Sequence, residues 1–314
     1  MELRELRSLV ALGKLGSISQ VAEHLHLSAP AIHKHLKSLE SELGEPLYQQ
    51  VGRHLQLTHA AEVVLPYFKD ILALHAEALS AFEEWKGTRL GLLRVGTGVT
   101  SYILPILLKK FRHAHPGVEL LVESEGSIPA LLEKLSTGVL DLAMVVSADL
   151  IEATKIAVEA SWDYELVLVS HKCRLPSRPH LADLKDLPFI LFRRGTRFEQ
   201  SISNYFAQHG FSPKVIMRFD SAQFIRSMVL SGLGVSVLPL WLVHKDVMEK
   251  RLTLIRQAEP TLFSNISLVR RKSTFVPQPM QSFIAIARRL ERKDLPLLTS
   301  LEHASLNSGG VRYR

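Results

Sequence analysis

Residues 28–44 read SAPAIHKHLKSLESELG, and this stretch has the features of one amphipathic helix. Aliphatic side chains recur in it at spacings of three and four, the period of one helix face, at Ile32, Leu36, Leu39 and Leu43. Ser28 is a typical N-cap, Pro30 suits the first turn, and Gly44 favours a helix end. We therefore predict a helix that buries these aliphatic side chains against its own domain.

The opposite face of this helix carries His33, Lys34 and Lys37. A charged face is usually just a solvated surface, and that interpretation also applies here. The alternative is a recognition helix in the major groove of DNA, where such side chains contact phosphates and base edges. The neighbouring segments favour the recognition helix.

Two more helices are predicted before this one. Apolar residues at helical spacing mark the first, near residues 3–10. Ser17 and Gln20 have the spacing of a capping box at the start of the second. Only residues 26–28 separate the second helix from the third, and so short a turn indicates helix-turn-helix geometry.

A two-stranded wing is predicted next, over residues 47–50 and 54–57. The turn between the strands places Arg53 at the tip, where a guanidinium suits a DNA phosphate. Three imidazoles are expected on or near the DNA-facing side of the domain, those of His33, His35 and His54.

A long helix is predicted over residues 59–86, with Pro66 kinking it near its start. Apolar residues recur along it at spacings of three and four, at Val64, Tyr67, Ile71, Leu74, Ala78, Phe82 and Trp85. Such a seam either packs on its own domain or pairs two chains. We favour pairing, because an acidic connecting helix with a narrow apolar seam has no obvious partner within the chain.

Beyond residue 90, apolar runs alternate with helical patterns, which is typical of α/β folds. The runs at 166–169, 235–238 and 265–270 are among the predicted strands, and no helix is predicted between the last two. The pattern suggests two similar lobes, so the whole chain is predicted to be an α+β multidomain protein. The tail, residues 299–314, is polar and is predicted to be disordered.

Composition narrows the class of protein. The 314 residues carry a formal net charge of +7, with one cysteine, Cys173. The sequence shows neither a membrane-length apolar run nor the apolar centre of a signal peptide, which favours the cytoplasm. Residues 1–58 are formally neutral, whereas residues 164–265 and 266–314 each carry +6. An anionic partner is expected, but DNA binding at the N-terminus must depend on the arrangement of charges.

Two other classes of protein compete with this interpretation. GTGVTS, residues 96–101, resembles a dinucleotide-binding turn and suggests a nucleotide-dependent α/β enzyme, although Ser101 stands where a third glycine is expected. Backbone N–H groups at a helix start also hold small anions, which explains the same pattern. A solute-binding protein is the second alternative. The histidines lack the spacing of metal ligands, and we expect no catalytic residues, metal or cofactor.

The chain resembles the LysR-type transcriptional regulators from residue 1 to about residue 295. The resemblance is carried by LVALGKLGSISQVAEHLHLSAPAIHKHLKSLESELGEPLYQQVGRHLQLTHAA, GLLRVGTG, YILPILLKKFRHAHPGVELLV, LSTGVLDLAMVV and SGLGVSVLP, in family order. The chain departs from the family by having Ala29 where Gln is common, His33 for Ser or Thr, Lys34 for Arg, Tyr48 for Phe and Gln50 for Arg. These departures bear on the DNA sequence that is read.

The resemblance implies three parts. These are a winged helix-turn-helix domain at 1–58, a linker and dimerisation helix at 59–88, and an effector-binding domain at 89–298 like type 2 periplasmic binding proteins. Its lobe I would comprise 90–162 and 266–298, and its lobe II 164–265. Family members typically assemble as dimers of dimers, so a homotetramer is expected, and RNA polymerase is a candidate partner.

The expected partners are double-stranded DNA and a small, anionic effector. The DNA-binding candidates are Ser28, Ala29, Pro30, His33, Lys34, Lys37 and Arg53. The effector candidates lie on loops at strand ends between the lobes, where open α/β sheets bind ligands, at Thr100, Ser101, Ser127, Ile128, Ser147, Arg194, Thr196 and Arg197. Each Ser or Thr among them could equally cap a helix.

Overall fold

The N-terminal domain is a winged helix-turn-helix. The computed structural model describes residues 1–52, 54–85, 91–98, 102–125, 128–146, 155–171, 175–176, 178–195, 197–272 and 275–298. The elements of this domain are α1 (Leu3–Leu15), α2 (Ile18–Leu25), α3 (Ala29–Leu43), β1 (Tyr48–Val51) and β2 (His54–Leu57). The two strands pair antiparallel as the wing. The helix α3 is the one that the sequence predicts as the recognition helix.

The ends of α3 form as the sequence predicts. The Ser28 hydroxyl accepts a hydrogen bond from the Ala31 N–H at 3.4 Å, and Gly44 ends the helix in the left-handed region at φ 76°. Ile32, Leu36 and Leu39 are fully buried, but Leu43 is 39% exposed, so its predicted burial is wrong. Leu43 is the last residue of the helix, where the chain leaves the domain core.

The capping box predicted for α2 is also wrong. Ser17 is its N-cap, but the Ser17 side chain makes no capping hydrogen bond. Reciprocal capping occurs instead at the start of α1, where Glu2 and Glu5 each bind the other's backbone N–H.

The linker helix α4 (His59–Trp85) continues through Pro66 without a break. One side of it is buried, at Ala61, Phe68 and Ala73. Its exposed apolar residues, the linker stripe, recur at spacings of three and four, at Val63, Tyr67, Ile71, Leu74, Ala78 and Phe82. Val64 packs against the core of the N-terminal domain, so the stripe begins one residue earlier than predicted. The Trp85 side chain lies outside the described part of the chain.

The rest of the chain forms one continuous sheet covered by helices. Its elements are β3 (Leu92–Thr97), α5 (Ile103–Ala114), β4 (Glu119–Ser124), α6 (Ile128–Ser136), β5 (Leu142–Val146), β6 (Ile156–Ser170), β7 (Pro188–Phe192), α7 (Arg197–Gln208), β8 (Lys214–Phe219), α8 (Ala222–Leu230), β9 (Val235–Pro239), α9 (Leu240–Met248), β10 (Thr253–Ile255), β11 (Leu262–Arg271) and α10 (Gln278–Arg288).

The strand order is β4-β3-β5-β11-β6-β9-β7-β8, with β10 also paired to β6. Lobe I contains β3 to β5 with α5, α6 and α10, and lobe II contains β7 to β10 with α7 to α9. The antiparallel strands β6 and β11 run through both lobes, since β11 pairs with β5 and β6 pairs with β9. A small molecule between the lobes would therefore lie beside these two strands.

Two elements of this region differ from the sequence-based expectation. β6 begins at Ile156 rather than Leu166, because its first half alternates charged and apolar residues and is held by pairing with β11. The helix α9 was not predicted, since it starts directly at the end of β9. The tail predicted to be disordered lies outside the described residues. Within the described ranges, no helix is long and apolar enough to cross a membrane.

Candidate DNA-binding and effector sites

The recognition helix presents a polar outer face. Pro30, His33, Lys34 and Lys37 are exposed on it, as the sequence predicts. Ala29 is half-buried and packs against the core of the N-terminal domain, so its side chain contributes less to this face than expected. Phosphates and base edges that approach the helix would meet two ammonium groups and one imidazole here.

The expectation for His35 is wrong. Its side chain is buried between α3 and α1, and its Nδ1 lies 2.8 Å from the Ser8 hydroxyl oxygen. Position 35 lies three residues after Ile32 and one before Leu36, which turns the imidazole toward the core rather than the outer face.

Lys37 is held by two neighbours. Its ammonium donates to Glu40 Oε2 at 2.6 Å and lies 5.8 Å from the centre of the Tyr48 ring. The hydrogen bond to Glu40 raises the pKa of Lys37 above its ordinary value. The lysine is therefore oriented toward the side of the helix that adjoins the wing.

A surface groove of about 380 Å³ separates the recognition helix from the wing. His33, Tyr48, Gln49 and Gln50 line it together with the start of α2 at Ser17. Ser17 and Gln49 are not among the candidates predicted from the sequence, and Gln50 was noted there only as a departure from the family. The adjacent amides of Gln49 and Gln50 just before the wing tip could have indicated a role in DNA binding, since amide side chains both donate to and accept from base edges.

The structure settles the position of only some predicted site residues. Arg53, Thr100, Ser101, Ser127, Ser147 and Thr196 lie outside the described part of the chain. Arg197 begins α7, but its side chain is not described. The remaining two effector candidates, Ile128 and Arg194, belong to different lobes.

Ile128 serves packing in lobe I. It is half-buried against the cluster around Leu131, and a Cβ on Gly98 would lie 2.4 Å from its Cδ1. Gly96 is similarly crowded by Leu131 and Leu140. Both glycines of the GTG turn are therefore explained by close packing of helix against strand, which removes the main argument for a dinucleotide site.

Arg194 is exposed on lobe II. It lines a groove of about 630 Å³ between α7 and the edge strand β8, which it shares with Ser203, Phe206 and Arg218. Arg218 donates to the Phe192 carbonyl at 2.8 Å and lies 3.6 Å from Glu199. This side of lobe II combines an apolar floor with guanidinium groups.

The strands that join the lobes carry a polar ladder that sequence reasoning missed. The Asn265 amide donates to Asp163 at 2.7 Å, and the hydroxyls of Ser161 and Ser267 lie 2.6 Å apart. These side chains come from one face of β6 and β11, since they alternate with apolar residues along both strands. The ladder therefore places polar groups on the two strands that run through both lobes.

The linker helix is fastened to lobe I. Glu77 accepts from Arg271 Nη2 at 2.8 Å and from the Phe275 N–H at 2.7 Å, and its side chain is 9% exposed. Lys69 donates to Glu133 at 3.1 Å on the same side of the helix, and Asp70 pairs with Lys155. The linker stripe therefore remains on the side that neither domain of the chain covers.

Clusters of His, Cys, Asp and Glu suited to a metal ion are not found among the described residues.

Two family models match the chain. The model described as "Bacterial regulatory helix-turn-helix protein, lysR family" matches residues 3–62, and the "LysR substrate binding domain" matches residues 86–292. The RuBisCO operon transcriptional regulator of Acidithiobacillus ferrooxidans is 29% identical over 81% of this chain and 82% of its own. The transcriptional activator CmpR of Synechocystis is 27% identical over 76% of this chain and 79% of its own.

Solved structures show the same fold at lower identity. A full-length OxyR variant from Pseudomonas aeruginosa superposes with a TM-score of 0.66, at 23% identity, over 93% of this chain and 96% of its own. Full-length CbnR in complex with its target DNA gives a TM-score of 0.58, at 22% identity, over 92% of this chain and 99% of its own.

Proposed function

This chain belongs to the LysR family of DNA-binding transcriptional regulators, and from that premise we propose that it reads its operator through the outer face of α3 and the adjoining wing. The observation that carries the proposal is the groove that places His33 of the recognition helix opposite Gln49 and Gln50 of the wing. A winged helix-turn-helix uses both elements on one duplex.

Phosphates would be held by Ser28, Lys37 and Arg53. Base edges would be read by Pro30, His33 and Lys34, with Ala29 at the rim. Phosphate contacts fix the position of the protein, whereas base contacts carry the sequence information. The N-terminal domain is formally neutral. Specific binding therefore depends more on these few side chains than it would in a strongly basic domain.

Lys34→Ala should weaken operator binding by about tenfold or more and relax the preference at one base pair. Arg53→Ala should weaken binding to all sequences alike and lower the salt slope by about one. Footprinting and salt titration on fragments of the protein's own upstream region measure both effects. Lys185→Ala, an exposed lysine of lobe II, is the control. Unchanged protection by both DNA-face variants would contradict the assignment.

We also infer a homodimer or a dimer of dimers, joined through the linker stripe. A regulator of this kind acts in the cytoplasm, with RNA polymerase as a further partner. The stripe supports the assembly because its six exposed apolar positions follow one face of the helix, whereas Ala61, Phe68 and Ala73 on another side are buried within the chain.

The effector would be a small anion bound between the lobes. Support comes from the net charge of +6 in residues 164–265 and from the arginines around the end of β7, where alternation along the strand lets at most one of Arg193 and Arg194 face the cleft together with Arg197. Thr100, Ser101, Ser127, Ser147 and Thr196 would supply hydroxyl groups, and Ile128 an apolar wall. A guanidinium binds a carboxylate or phosphate with two parallel hydrogen bonds.

Isothermal titration with a panel of carboxylates and phosphate esters, set against uncharged sugars and amines, should detect salt-sensitive binding of an anion. The double variant Thr100→Val with Arg197→Ala should abolish that binding. Arg178→Ala, an exposed arginine elsewhere in lobe II, is the matched control. Binding of a neutral ligand at the same place, or full anion binding by the double variant, would refute an anionic effector.

A further inference from the structure

The carboxylate of Glu40 connects the recognition helix to the wing. Its Oε1 accepts from the Leu47 N–H at 3.0 Å, and its Oε2 accepts from the Lys37 ammonium at 2.6 Å. The Glu40 side chain is 11% exposed, whereas Lys37 is 70% exposed. One acidic group therefore serves a backbone donor at the base of the wing and a cation on the DNA-facing helix at the same time.

The base of the wing is held from two directions. Leu47, fully buried, lies directly before β1, and its carbonyl accepts from the Thr58 N–H at 3.1 Å. The Thr58 hydroxyl donates to the Pro46 carbonyl at 2.7 Å. Thr58 thus joins the two ends of the wing to each other, and Glu40 joins that base to α3. The hydrogen bond from the Leu47 N–H to Glu40 therefore links the base of the wing to the recognition helix.

The same carboxylate offsets the charge of Lys37. A lysine at a DNA-facing surface attracts phosphates of every sequence, because phosphates carry no sequence information. An ammonium that already donates to a carboxylate has part of that attraction cancelled. The Tyr48 ring, 5.8 Å away, keeps the lysine stem on the wing side of the helix.

We propose that Glu40 is a positioning residue for DNA recognition that favours specific over non-specific binding. It fixes the wing against the recognition helix, and it restrains the attraction of Lys37 to phosphates of arbitrary sequence. The inference rests on the proposed DNA-binding face.

The test compares the wild type with four variants, Glu40→Gln, Glu40→Ala, Lys37→Ala and the double variant Glu40→Gln with Lys37→Ala. Each full-length chain is titrated by fluorescence anisotropy against an operator duplex found by footprinting and against a random-sequence duplex of the same length. Titrations are repeated between about 50 and 200 mM KCl to obtain salt slopes. Circular dichroism and the thermal midpoint report whether each variant is folded.

Glu40→Gln keeps a carbonyl oxygen for the Leu47 N–H but removes the negative charge beside Lys37. Affinity for random DNA should rise severalfold and the salt slope should steepen by about one, so the ratio of operator to random affinity falls. In the Lys37→Ala background the same change should give no gain, since the gain acts through this lysine.

Glu40→Ala removes the acceptor of the Leu47 N–H as well. Its affinity for random DNA should rise as in Glu40→Gln, whereas its operator affinity should fall about tenfold, with Glu40→Gln restoring most of that loss. The inference is overturned if Glu40→Gln leaves the salt slope and the affinity ratio unchanged, if its gain persists without Lys37, or if folded Glu40→Ala binds the operator like the wild type. Failure of the wild type to bind any duplex would instead reject the proposed function itself.

Discussion

Replacing Leu74 by Asp should separate the paired chains and lower operator affinity by about a hundredfold. Leu74 is 61% exposed in the single chain and lies in the middle of the linker stripe. In a helix pair it would be buried, and an unpaired carboxylate there costs several kcal/mol, about 3 or more. Two half-sites would then be bound independently, which removes the gain of about two or more orders of magnitude from linked binding.

Sedimentation velocity and anisotropy titration measure the two consequences of this change. Met248→Asp is the matched control, because Met248 is 69% exposed on α9 of lobe II, outside the stripe. That variant should keep the assembly and the affinity of the wild type. An unchanged assembly in Leu74→Asp would show that the chains pair through another surface.

The helices of the DNA-binding domain were predictable because their signals are local. The N-cap of Ser28, the left-handed Gly44 and the spacing of Ile32, Leu36 and Leu39 act within a few residues. The predictions were wrong where the structure of a segment depends on residues that are distant in sequence. The spacing of His35 from Ile32 and Leu36 turns it toward the core, and Ser8 of another helix, distant in sequence, provides the hydrogen bond for the buried imidazole.

For the same reason, only some residues of the candidate DNA-binding site could be predicted from the sequence. The exposure of cations such as Lys34 and Lys37 can be predicted from helical spacing alone. The role of Glu40 depends on Leu47 across a turn, and that of Gln49 on a groove formed by three elements. The first half of β6 was not predicted as a strand, because its alternating polar and apolar residues are held in a strand by pairing with β11.

The linker helix contacts the effector domain at lobe I. β11 runs from the polar ladder at Asn265 through the buried centre of lobe I to Arg271, which binds Glu77. β11 and the ion pair between Arg271 and Glu77 thus form one connection from the crossing between the lobes to α4, beside the ion pairs of Lys69 and Asp70. Lobe I and the linker helix should move as one body when the angle between the lobes changes.

Glu77→Ala should release this connection. The change leaves Arg271 without this carboxylate and the Phe275 N–H without its acceptor, at a cost of about 3 kcal/mol for a largely buried pair. Hydrogen exchange at the Phe275 amide should accelerate by about a hundredfold, since each 1.4 kcal/mol is worth about a factor of ten.

Two comparisons separate this effect from a general loss of structure. Lys69→Ala removes an ion pair that is more than a quarter exposed on both sides, and such pairs contribute about 1 kcal/mol or less, so exchange at Phe275 should hardly change. Glu77→Gln keeps an acceptor for the Phe275 N–H and should lie between the wild type and Glu77→Ala. Equal exchange in Lys69→Ala and Glu77→Ala would mean that the linker helix is held to lobe I by apolar packing rather than by Glu77.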